Sequence, residues 1–487
     1  MLSILVCHSY FLRFDPKQVA RAKPYPPLAT LQVAAILRRA GHEVALFDSM
    51  LAHGIGEYEH KLAAARPQVV LIYEDSFNFL SKMCLGKMRQ AACEMIGAAR
   101  RSGARVIACG PDVSDAPEPY LKAGADVALV GEGLATLRDL IPKLNCDIQA
   151  AAGELIRGLS GAVALVNGTV VKVNGATLLP ASTEQGEFAA WDLLDMDRYR
   201  STWLKAHGYF SLNMAASRGC SFRCTWCAKP IWGNQYLQRH ARSVAAEMTY
   251  LKHTFSPDHV WFADDIFGFR VDWVNEFATA LAAAGGGVPF TIQTRADLLS
   301  ERMAAALRAA GCEEAWLGAE SGSQRVLDAM NKGTTIAEIL AARARLKGAG
   351  IRAGFFIQLG YLDEQLSDIL ATRALLELAR PDDVGVSVSY PLPGTKFYEL
   401  VKAQLGSKTH WQDSDDLAMM FRGTYTSEFY RAVRNLIHDQ VSLQTVAKDV
   451  PDGQSSAAQR ALERRWHELL SRESLHRSHS CESARAG

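Results

Sequence analysis

Three cysteines lie within eight residues of the stretch "SRGCSFRCTWCAKP": Cys220, Cys224 and Cys227. This CxxxCxxC spacing places three thiolates on one loop, where they can converge on a soft metal centre. A structural zinc site would close its tetrahedron with a fourth cysteine or histidine. The nearest in sequence, His207 and His240, lie outside the loop. A distant fourth ligand would still allow zinc, but the pattern favours a 4Fe-4S cluster that leaves one iron open to an external ligand.

The bulk composition indicates a globular protein of two or three domains. The chain has 487 residues, 48% of them hydrophobic, which is too long for one core. Lys+Arg 53 balance Asp+Glu 52, which argues against a strongly basic surface for nucleic acid. The other seven cysteines have no disulfide-like spacing, so we expect a reducing cytoplasm. They lie at positions 7, 84, 93, 109, 146, 312 and 481.

The N-terminal run "MLSILVCHSYFL" is apolar but short. It carries no leading positive charges and has His8 in its middle, so it is unlike a signal peptide. We expect it to form a buried first strand. No stretch approaches the length of apolar chain that a membrane span requires.

Residues 1–145 alternate short β-rich runs with helical patterns. This alternation predicts an α/β fold with a doubly wound, Rossmann-like parallel sheet of five strands. Ligands bind such sheets at the carboxyl ends of the strands, where "GPD" (110–112) and "GEG" (131–133) lie. The expected strands are "LSILVC", "HEVALFD", "QVVLIY", "ARVIACG" and "DVALVGEG".

The βα rhythm returns after a segment of different character. Residues 146–205 read as a linker with a β-hairpin that turns at Asn167-Gly168, a pair that tolerates positive φ. Residues 206–398 then predict a partial (βα)6 barrel of TIM type, with its chemistry at the carboxyl ends of the strands. The six expected strands are "SLNMAAS", "HVWFADD", "FTIQTRAD", "EEAWLGAES", "RAGFFIQLG" and "VGVSVSYPLPG".

The C-terminal part differs from both α/β regions. Residues 399–470 are helical in pattern, and the polar run over 471–487 predicts a disordered tail. The aromatic and acidic stretch from Trp411 to Arg431 is the best candidate for substrate-specific contacts. Plain packing with a solvated face is the alternative for that stretch.

The cysteine motif on the first βα loop of six βα units resembles the signature of the radical S-adenosylmethionine (SAM) superfamily. The resemblance implies that the open iron binds SAM and that one electron from the cluster cleaves it to a 5′-deoxyadenosyl radical. It also implies SAM contacts at the carboxyl ends of the strands, where helix capping by the aspartates and a structural salt bridge of the arginine are the alternatives. These predicted SAM-binding residues are Trp226, Asp264, Asp265, Arg295, Glu320 and Ser323.

One loop departs from the family's pattern. Relatives often carry Gly-x-Pro-Gly-Glu after the fifth strand, whereas this chain has "GYLDE" over residues 360–364. Gly360 and Glu364 match, and Leu362-Asp363 replaces Pro-Gly. The geometry of this loop therefore has to be decided by the structure.

The N-terminal region resembles the cobalamin-binding domain found in one subfamily of these enzymes. The matching phrases are "YPPLATLQVAAILRRAGHEVALFD", "GPDVSDAPE" and "ADVALVGEGLATL". Glycines would let the backbone approach a flat corrin closely. His8 stands where some cobalamin proteins place a cobalt ligand, but Val6 and Phe11 replace the Asp and Gly of that motif, so we expect no histidine below cobalt. A degenerate flavodoxin-like domain without ligand is the alternative. The predicted cobalamin-binding residues are Pro26, Leu28, Ser76, Phe77, Asn78, Gly110, Pro111, Gly131, Glu132 and Gly133.

Together these resemblances imply a cobalamin-dependent radical SAM methyltransferase that acts on an unactivated carbon of a small-molecule or natural-product substrate. The same cofactors could instead support cyclisation, ring rearrangement or hydroxylation. A third hypothesis is a cobalamin- or redox-sensing protein without catalysis. An electron donor such as flavodoxin or ferredoxin is implied, because the cluster must be reduced at each turnover.

Overall fold

A computed structural model of the chain describes residues 1–77, 85–175, 188–227, 234–406, 417–446 and 452–478. Two mainly parallel sheets, each flanked by helices, dominate the structure, as the α/β prediction requires. A two-stranded antiparallel ribbon lies beside the second sheet.

The first sheet has the order β2-β1-β3-β4-β5-β6-β7. Strands β1 to β5 are parallel, so the predicted doubly wound sheet is confirmed. Strand β3 is "VVLIY", buried throughout, because helices cover both faces of a parallel sheet. The strand order reverses between β1 and β3, the place where such sheets bind ligands. The strands are β1 Ser3–Cys7, β2 Glu43–Phe47, β3 Val69–Tyr73, β4 Arg105–Cys109, β5 Val127–Leu129, β6 Ala162–Val166 and β7 Thr169–Lys172.

Eight described helices accompany this sheet. Leu28–Arg39 buries an apolar face that includes Leu31 and Ala34. The helices are α1 Pro16–Arg21, α2 Leu28–Arg39, α3 Ile55–Ala65, α4 Leu85–Arg101, α5 Pro111–Asp115, α6 Pro117–Ala123, α7 Leu134–Cys146 and α8 Ala152–Leu155.

The predicted hairpin is confirmed as β6–β7. Its two turn residues, Asn167 and Gly168, have φ of 48° and 78°, the positive values that a two-residue hairpin turn needs. Strand β6 pairs antiparallel with β5, so the hairpin extends the first sheet. The sequence interpretation of this hairpin as part of a linker missed that pairing.

The second sheet has the order β15-β14-β13-β12-β11-β8, parallel throughout. All six predicted strands are present. No described strand joins β8 to β15, so the barrel is partial, as predicted. Its strands are β8 Ser211–Met214, β11 His259–Phe262, β12 Phe290–Thr294, β13 Cys312–Glu320, β14 Arg352–Leu359 and β15 Asp383–Val388, and the ribbon is β9 Ser217–Gly219 with β10 Tyr236–Gln238.

Helices connect these strands in the order that a βα barrel requires. Ser300 caps one of them by accepting from the backbone N–H of Met303 at 3.1 Å. Thr335 and Glu338 form a reciprocal capping box on another. The helices are α9 Met196–His207, α10 Ala241–Phe255, α11 Val271–Ala283, α12 Glu301–Ala310, α13 Gln324–Ala329, α14 Ile336–Gly348, α15 Leu366–Ala379 and α16 Lys396–Val401.

The C-terminal region contains α17 Ser427–Val446 and α18 Asp452–Ser471, which pack together. The predicted tail over 471–487 is ordered in its first part, which corrects the expectation of disorder. Glu473–His476 form a 3-10 turn, and Arg477 bridges Tyr425. Backbone hydrogen bonds of 2.9–3.0 Å to residues 424–426 hold this segment in place, although its composition is polar. Residues 479–487 lie outside the described ranges.

One face of the first sheet shares an apolar core with the barrel. Val6 and Leu71 belong to the same buried cluster as Phe262 and Leu317. The opposite face of the sheet, with Leu5, packs against its own helices. Within the described ranges, no helix is both long and apolar enough to cross a bilayer.

Candidate functional site

The three cysteines lie on the loop that follows ribbon strand β9. The thiol of Cys220 is nearly buried, whereas Cys224 and Cys227 are partly exposed, and none is in a disulfide. Among the described residues, no three of His, Cys, Asp and Glu converge closely enough to hold a single metal ion. The preference for a 4Fe-4S cluster over zinc therefore rests on the CxxxCxxC spacing and on the lack of a nearby fourth Cys or His in the sequence.

The cysteine loop is fastened to the barrel by its middle residue. Thr225 donates its backbone N–H to Met330 O at 2.9 Å, and its hydroxyl lies 2.7 Å from the hydroxyl of Tyr361. Its carbonyl accepts from the backbone of Phe397 at 3.0 Å. The backbone of the loop is therefore fixed from three sides, which holds the thiols in place before any metal is bound.

Trp226, between the last two cysteines, is half-buried, as expected for a ligand-facing aromatic side chain. Its indole N–H is buried and has no hydrogen-bond acceptor among the residues that the structure describes. A buried donor without an acceptor costs about 1–3 kcal/mol. This orphan donor beside the thiols fits a site that is completed by a bound cofactor.

Arg295 contacts the cluster loop itself. Its guanidinium lies 3.7 Å above the ring of Phe222 and donates to Cys224 Sγ at 3.8 Å. It also donates to Asp297 at 2.9 Å and to the carbonyl of Lys332 at 2.7 Å. The sequence interpretation of Arg295 as a SAM contact missed this role: the side chain supports a cysteine that we expect to hold iron.

We expect Arg295→Met to lower the reduction potential of the reconstituted cluster, because a positive donor near a ligating sulfur favours the reduced, more negative cluster. A fall of roughly 50–100 mV is expected, which is about a seven- to fiftyfold change in the equilibrium constant of a one-electron couple. Redox titration followed by electron paramagnetic resonance measures it. Arg302→Met, at an exposed arginine, is the control. Equal potentials in wild type and Arg295→Met would contradict the prediction.

Asp264 is fully buried at the end of β11 and is used inside the protein. It accepts from the backbone N–H of Ala216 at 2.9 Å and from the hydroxyl of Ser217 at 2.5 Å. Burial raises the pKa of Asp264 to about 7, against these hydrogen bonds, which lower it. Asp264 therefore orders the turn that leads into the cysteine loop. Asp265, the alternative SAM contact, is half-buried beside it.

The two predicted contacts after β13 also have protein partners. Glu320 adopts a left-handed backbone with φ of 60° and forms a buried ion pair of 2.7 Å with Lys332. Ser323 donates to Asp368 at 2.6 Å. The structure thus gathers the predicted SAM-binding residues at one end of the barrel, but several of them hold loops. Direct SAM contact by these six residues stays a prediction.

The "GYLDE" loop keeps a tight turn although it lacks Pro-Gly. Asp363 takes φ of 58°, a left-handed conformation that Asp tolerates better than most residues. The carboxylate of Glu364 accepts from the backbone N–H of Gly360 at 2.7 Å, which closes the loop. The side chain of Glu364 is completely buried, and burial raises its pKa to about 8.

This buried carboxyl predicts a pH-dependent stability. Since the folded-state pKa lies above the ordinary value of 4.5, Glu364 stabilises the fold below that pH, and the contribution is lost as pH rises through about 8. We expect Glu364→Gln to become more stable relative to wild type between pH 5 and pH 9, by about 2–4 kcal/mol. Urea unfolding across that range measures the difference. The exposed Glu428→Gln should show no such trend, and a parallel pH profile for Glu364→Gln would refute the prediction.

The carboxyl edge of the first sheet carries buried acidic groups that the sequence analysis did not single out. Glu74 accepts from the hydroxyl and backbone of Ser9 at 2.6 and 3.0 Å. Asp75 accepts from the backbone of Ala29 at 3.1 Å, and burial raises its pKa to about 6. Both follow directly from β3, so a carboxyl pair after a buried strand was the available signal.

His8 is buried at this edge with its Nε2 2.9 Å from Asp48. Burial alone would lower the pKa of His8, but its hydrogen bond to Asp48 raises it above the ordinary value. The backbone N–H of Ser49 points to the same nitrogen at 3.1 Å. This engagement supports the expectation that His8 is a packing residue.

Packing inside the protein explains two of the predicted corrin glycines. A Cβ on Gly133 would lie 2.5 Å from Cys109 Sγ, and one on Gly110 would lie 2.6 Å from the Cβ of Glu74. Glycine is therefore required there whether or not a corrin approaches. Corrin contact by Gly110 and Gly133 stays a prediction.

The other predicted cobalamin residues that the structure describes lie along the same edge. Ser76 and Phe77 are half-buried after β3, and Gly131 has φ of 80°. Pro111 opens α5, Leu28 is buried at the start of α2, and Asn78 lies outside the described residues. These residues lie at the switch point of the sheet, where a flat ligand could bind. Contact between cobalamin and each of them stays a prediction.

Glu132 does not face an open edge. Its carboxylate forms an ion pair with Arg218, and both side chains are buried, 1% and 4% exposed. The hydroxyl of Tyr73 donates to Glu132 O at 2.6 Å. Arg218 lies in β9, two residues before Cys220, so this pair joins the "GEG" loop of the first sheet to the strand that precedes the cysteine loop. Sequence reasoning missed Arg218, because nothing local identifies the partner of an arginine.

A cavity of about 610 Å³ lies between the first sheet and the barrel interior. Phe77, at the carboxyl edge of the first sheet, forms part of its wall. Ala263 and Gln293, at the ends of β11 and β12, also line it. Ala263 adjoins Asp264, and Gln293 lies two residues before Arg295 along the chain.

Comparisons with known proteins agree with this architecture. Residues 214–376 match the model of the Radical SAM superfamily. An uncharacterised methyltransferase of Pyrococcus horikoshii is 24% identical over 434 residues, which cover 85% of this chain and 90% of the relative.

Two solved structures share most of the fold. TsrM of Kitasatospora setae, a radical SAM methyltransferase solved with cobalamin and a [4Fe-4S] cluster, is 18% identical with a TM-score of 0.61, covering 83% of this chain and 75% of its own. OxsB, a cobalamin-dependent radical SAM enzyme solved with aqua-cobalamin and SAM, is 15% identical with a TM-score of 0.68, covering 96% and 72%. Residues 214–376 therefore form a radical SAM domain, and the chain as a whole has the fold of the cobalamin-dependent radical SAM enzymes TsrM and OxsB.

Proposed function

We propose that this protein is a cobalamin-dependent radical SAM enzyme that methylates an unactivated carbon of a small-molecule substrate. The observation that carries the proposal is a cavity whose wall combines Phe77, from the carboxyl edge of the first sheet, with residues of the barrel strands. Phe77 belongs to the predicted cobalamin edge, and Ala263 and Gln293 lie beside the groups that hold the cysteine loop. A substrate in this cavity would be within reach of both cofactors.

The relatives favour methyl transfer over the other radical reactions. The P. horikoshii relative and TsrM are both named methyltransferases. OxsB shares the cofactors without that name, which keeps cyclisation, rearrangement and hydroxylation as alternatives. The closely held cysteine loop and a cavity that meets both the first sheet and the barrel support catalysis over sensing.

The cofactors would supply radical generation and a transferable methyl group, and the chain's share is to position them and exclude water. Cys220, Cys224 and Cys227 would hold three irons of the cluster. Thr225 and Arg295 fix the loop that carries these thiols. The aromatic side chains of Trp226 and Phe77 supply apolar surface on which flat groups can pack.

The proposal includes a reducing environment and a redox partner. Cluster reduction at each turnover requires a donor such as flavodoxin or ferredoxin. The scattered cysteines, of which Cys7, Cys109 and Cys312 are buried thiols, suit the cytoplasm, where thiols stay reduced.

The experiment is anaerobic reconstitution with iron, sulfide and cobalamin, followed by incubation with dithionite and methyl-labelled SAM. We expect an iron–sulfur spectrum, bound cobalamin, and formation of both 5′-deoxyadenosine and S-adenosylhomocysteine. Label in a small-molecule product identifies methylation. If 5′-deoxyadenosine forms without S-adenosylhomocysteine, another radical reaction replaces methylation as the function. If neither product forms, the result supports the sensing hypothesis.

A further inference from the structure

We propose that the inner face of the barrel is the substrate chamber and that it takes a neutral, flat ring carrying a hydrogen-bond donor and an acceptor side by side. This inference rests on the proposed function, since it specifies the substrate class of the same cavity. It stands on three observations: flat aromatic walls, two carboxamides between them, and a charge-balanced floor.

One wall of the cavity is Trp261, and two further aromatic side chains, Trp316 and Phe356, stay partly exposed on the inner faces of nearby strands. Trp261 lines the cavity, and Trp316 lies on the same face of its strand as the cavity-lining Glu314. Phe356 lies on the inner face of the next strand, with ring centroids 4.8 Å from Trp316 and an interplanar angle of 30°. The barrel interior is therefore lined by rings and not filled by them.

Two glycines make this open arrangement possible. A Cβ on Gly354 would lie 2.5 Å from the ring of Trp316, and one on Gly385 would lie 3.2 Å from the ring of Phe356. Without side chains at these positions, both rings can lie flat against the strands. Filled barrel cores instead use bulky branched residues at inward positions. The two glycines thus leave space inside the barrel for a flat ligand.

Two carboxamides border Trp261 on the neighbouring strands. Asn213 is 4% exposed and donates its amide N–H to the carbonyl of Pro26 at 3.0 Å, so its Oδ1 is the remaining group. That oxygen is buried and has no partner among the described residues. Gln293, half-buried on β12, also lines the cavity. A ligand N–H would satisfy Asn213, and a ligand carbonyl could accept from the Gln293 amide.

The floor of the cavity contains charges that cancel. His259 contacts the hydroxyls of Ser211 and Thr291 at 2.8 and 2.9 Å, and burial, followed by the charge of Lys23, lowers its pKa to about 4. The ring is thus neutral near pH 7. Glu314 pairs with Arg352 at 3.3 Å. The lining also contains Arg21 and Lys23 together with Asp258 and Glu313, all four exposed, so its positive and negative side chains balance, which favours a neutral ligand.

The test uses a matched set of probes with the reconstituted full-length protein. 2-Quinolone is flat, neutral and carries an N–H beside a carbonyl. N-Methyl-2-quinolone lacks the donor, and the saturated octahydro-2-quinolone lacks the flat ring. We expect 2-quinolone to bind in calorimetry, with each altered probe weaker by about tenfold or more, as expected when a buried polar atom or an aromatic contact is lost.

Variants locate the binding. Gly354→Ala should push the Trp316 ring into the chamber and weaken 2-quinolone binding by about tenfold or more. Gly348→Ala, where a Cβ would meet nothing within 4 Å, is the matched control and should bind as wild type does. Trp261→Leu should weaken binding without changing iron or cobalamin content, which also shows that the variant is folded.

The outcomes separate this inference from the proposed function. If SAM is cleaved but none of the probes binds, or all three probes bind equally, the chamber assignment is wrong and the proposed function stands. If 2-quinolone binds as expected but SAM is not cleaved, the chamber stands and the proposed function is lost. Unchanged binding in both Gly354→Ala and Trp261→Leu would place the ligand elsewhere and overturn the inference.

Discussion

Cys224→Ala is expected to abolish stable cluster assembly and reduce SAM cleavage to background. A cluster that already uses one iron for an external ligand would keep only two protein thiolates, while Arg295 would lose the sulfur that it contacts at 3.8 Å. Iron and sulfide analysis, together with 5′-deoxyadenosine formation, measures the loss. We expect at least a thousandfold fall in cleavage, roughly 4 kcal/mol or more in the barrier.

The matched control is Cys146→Ser, at the end of α7, where the cysteine is exposed and far along the chain from the loop. It should keep wild-type iron content and activity. If Cys224→Ala retained a full complement of iron and cleaved SAM, an unrecognised fourth protein ligand would have to exist. The three-thiolate cluster would then be wrong.

Arg218→Met is expected to destabilise the fold by about 3–5 kcal/mol, because it leaves the carboxylate of Glu132 buried without its partner. The pair connects the "GEG" loop to the strand before Cys220. Removing both charges in Glu132→Met/Arg218→Met should cost less than Arg218→Met alone, since no buried charge then remains. Urea unfolding of the two variants measures this non-additivity.

The exposed pair of Arg38 with Asp192 provides the contrast. Its side chains are 42% and 55% exposed, so Asp192→Asn should cost at most about 1 kcal/mol. Arg218→Met should also lose iron more readily during reconstitution, because β9 positions the cysteine loop. Equal stability losses for the buried and exposed pairs would show that burial of Glu132 and Arg218 does not control this connection.

The local hydrophobic pattern of the sequence was sufficient to predict the strands and helices of both sheets. Buried parallel strands such as "VVLIY" are continuous apolar runs, and alternation with helices restricts the topology, so both sheets could be predicted. The turn at Asn167-Gly168 was equally readable because φ preference is a local property. Its pairing with β5 was not, since strand partners are chosen by contacts that are distant in sequence.

The candidate site was likewise predictable only where local spacing defines it. The spacing of Cys220, Cys224 and Cys227 already indicated a cluster, because ligand type and loop length limit the metals that can bind. Roles of individual strand-end residues could not be read in this way. Arg295 follows a strand as a SAM contact might, yet its guanidinium stacks on Phe222 and reaches a cysteine sulfur.

The sequence alone determined the two α/β regions, the order of their strands along the chain and the three-cysteine loop, because each follows from residue type and short spacing. Only the tertiary structure decided that Glu132 pairs with Arg218, that Gly354 makes room for Trp316, and that one cavity meets both sheets. Those relations join residues tens to hundreds of positions apart. Their energies come from burial and packing, which no local pattern encodes.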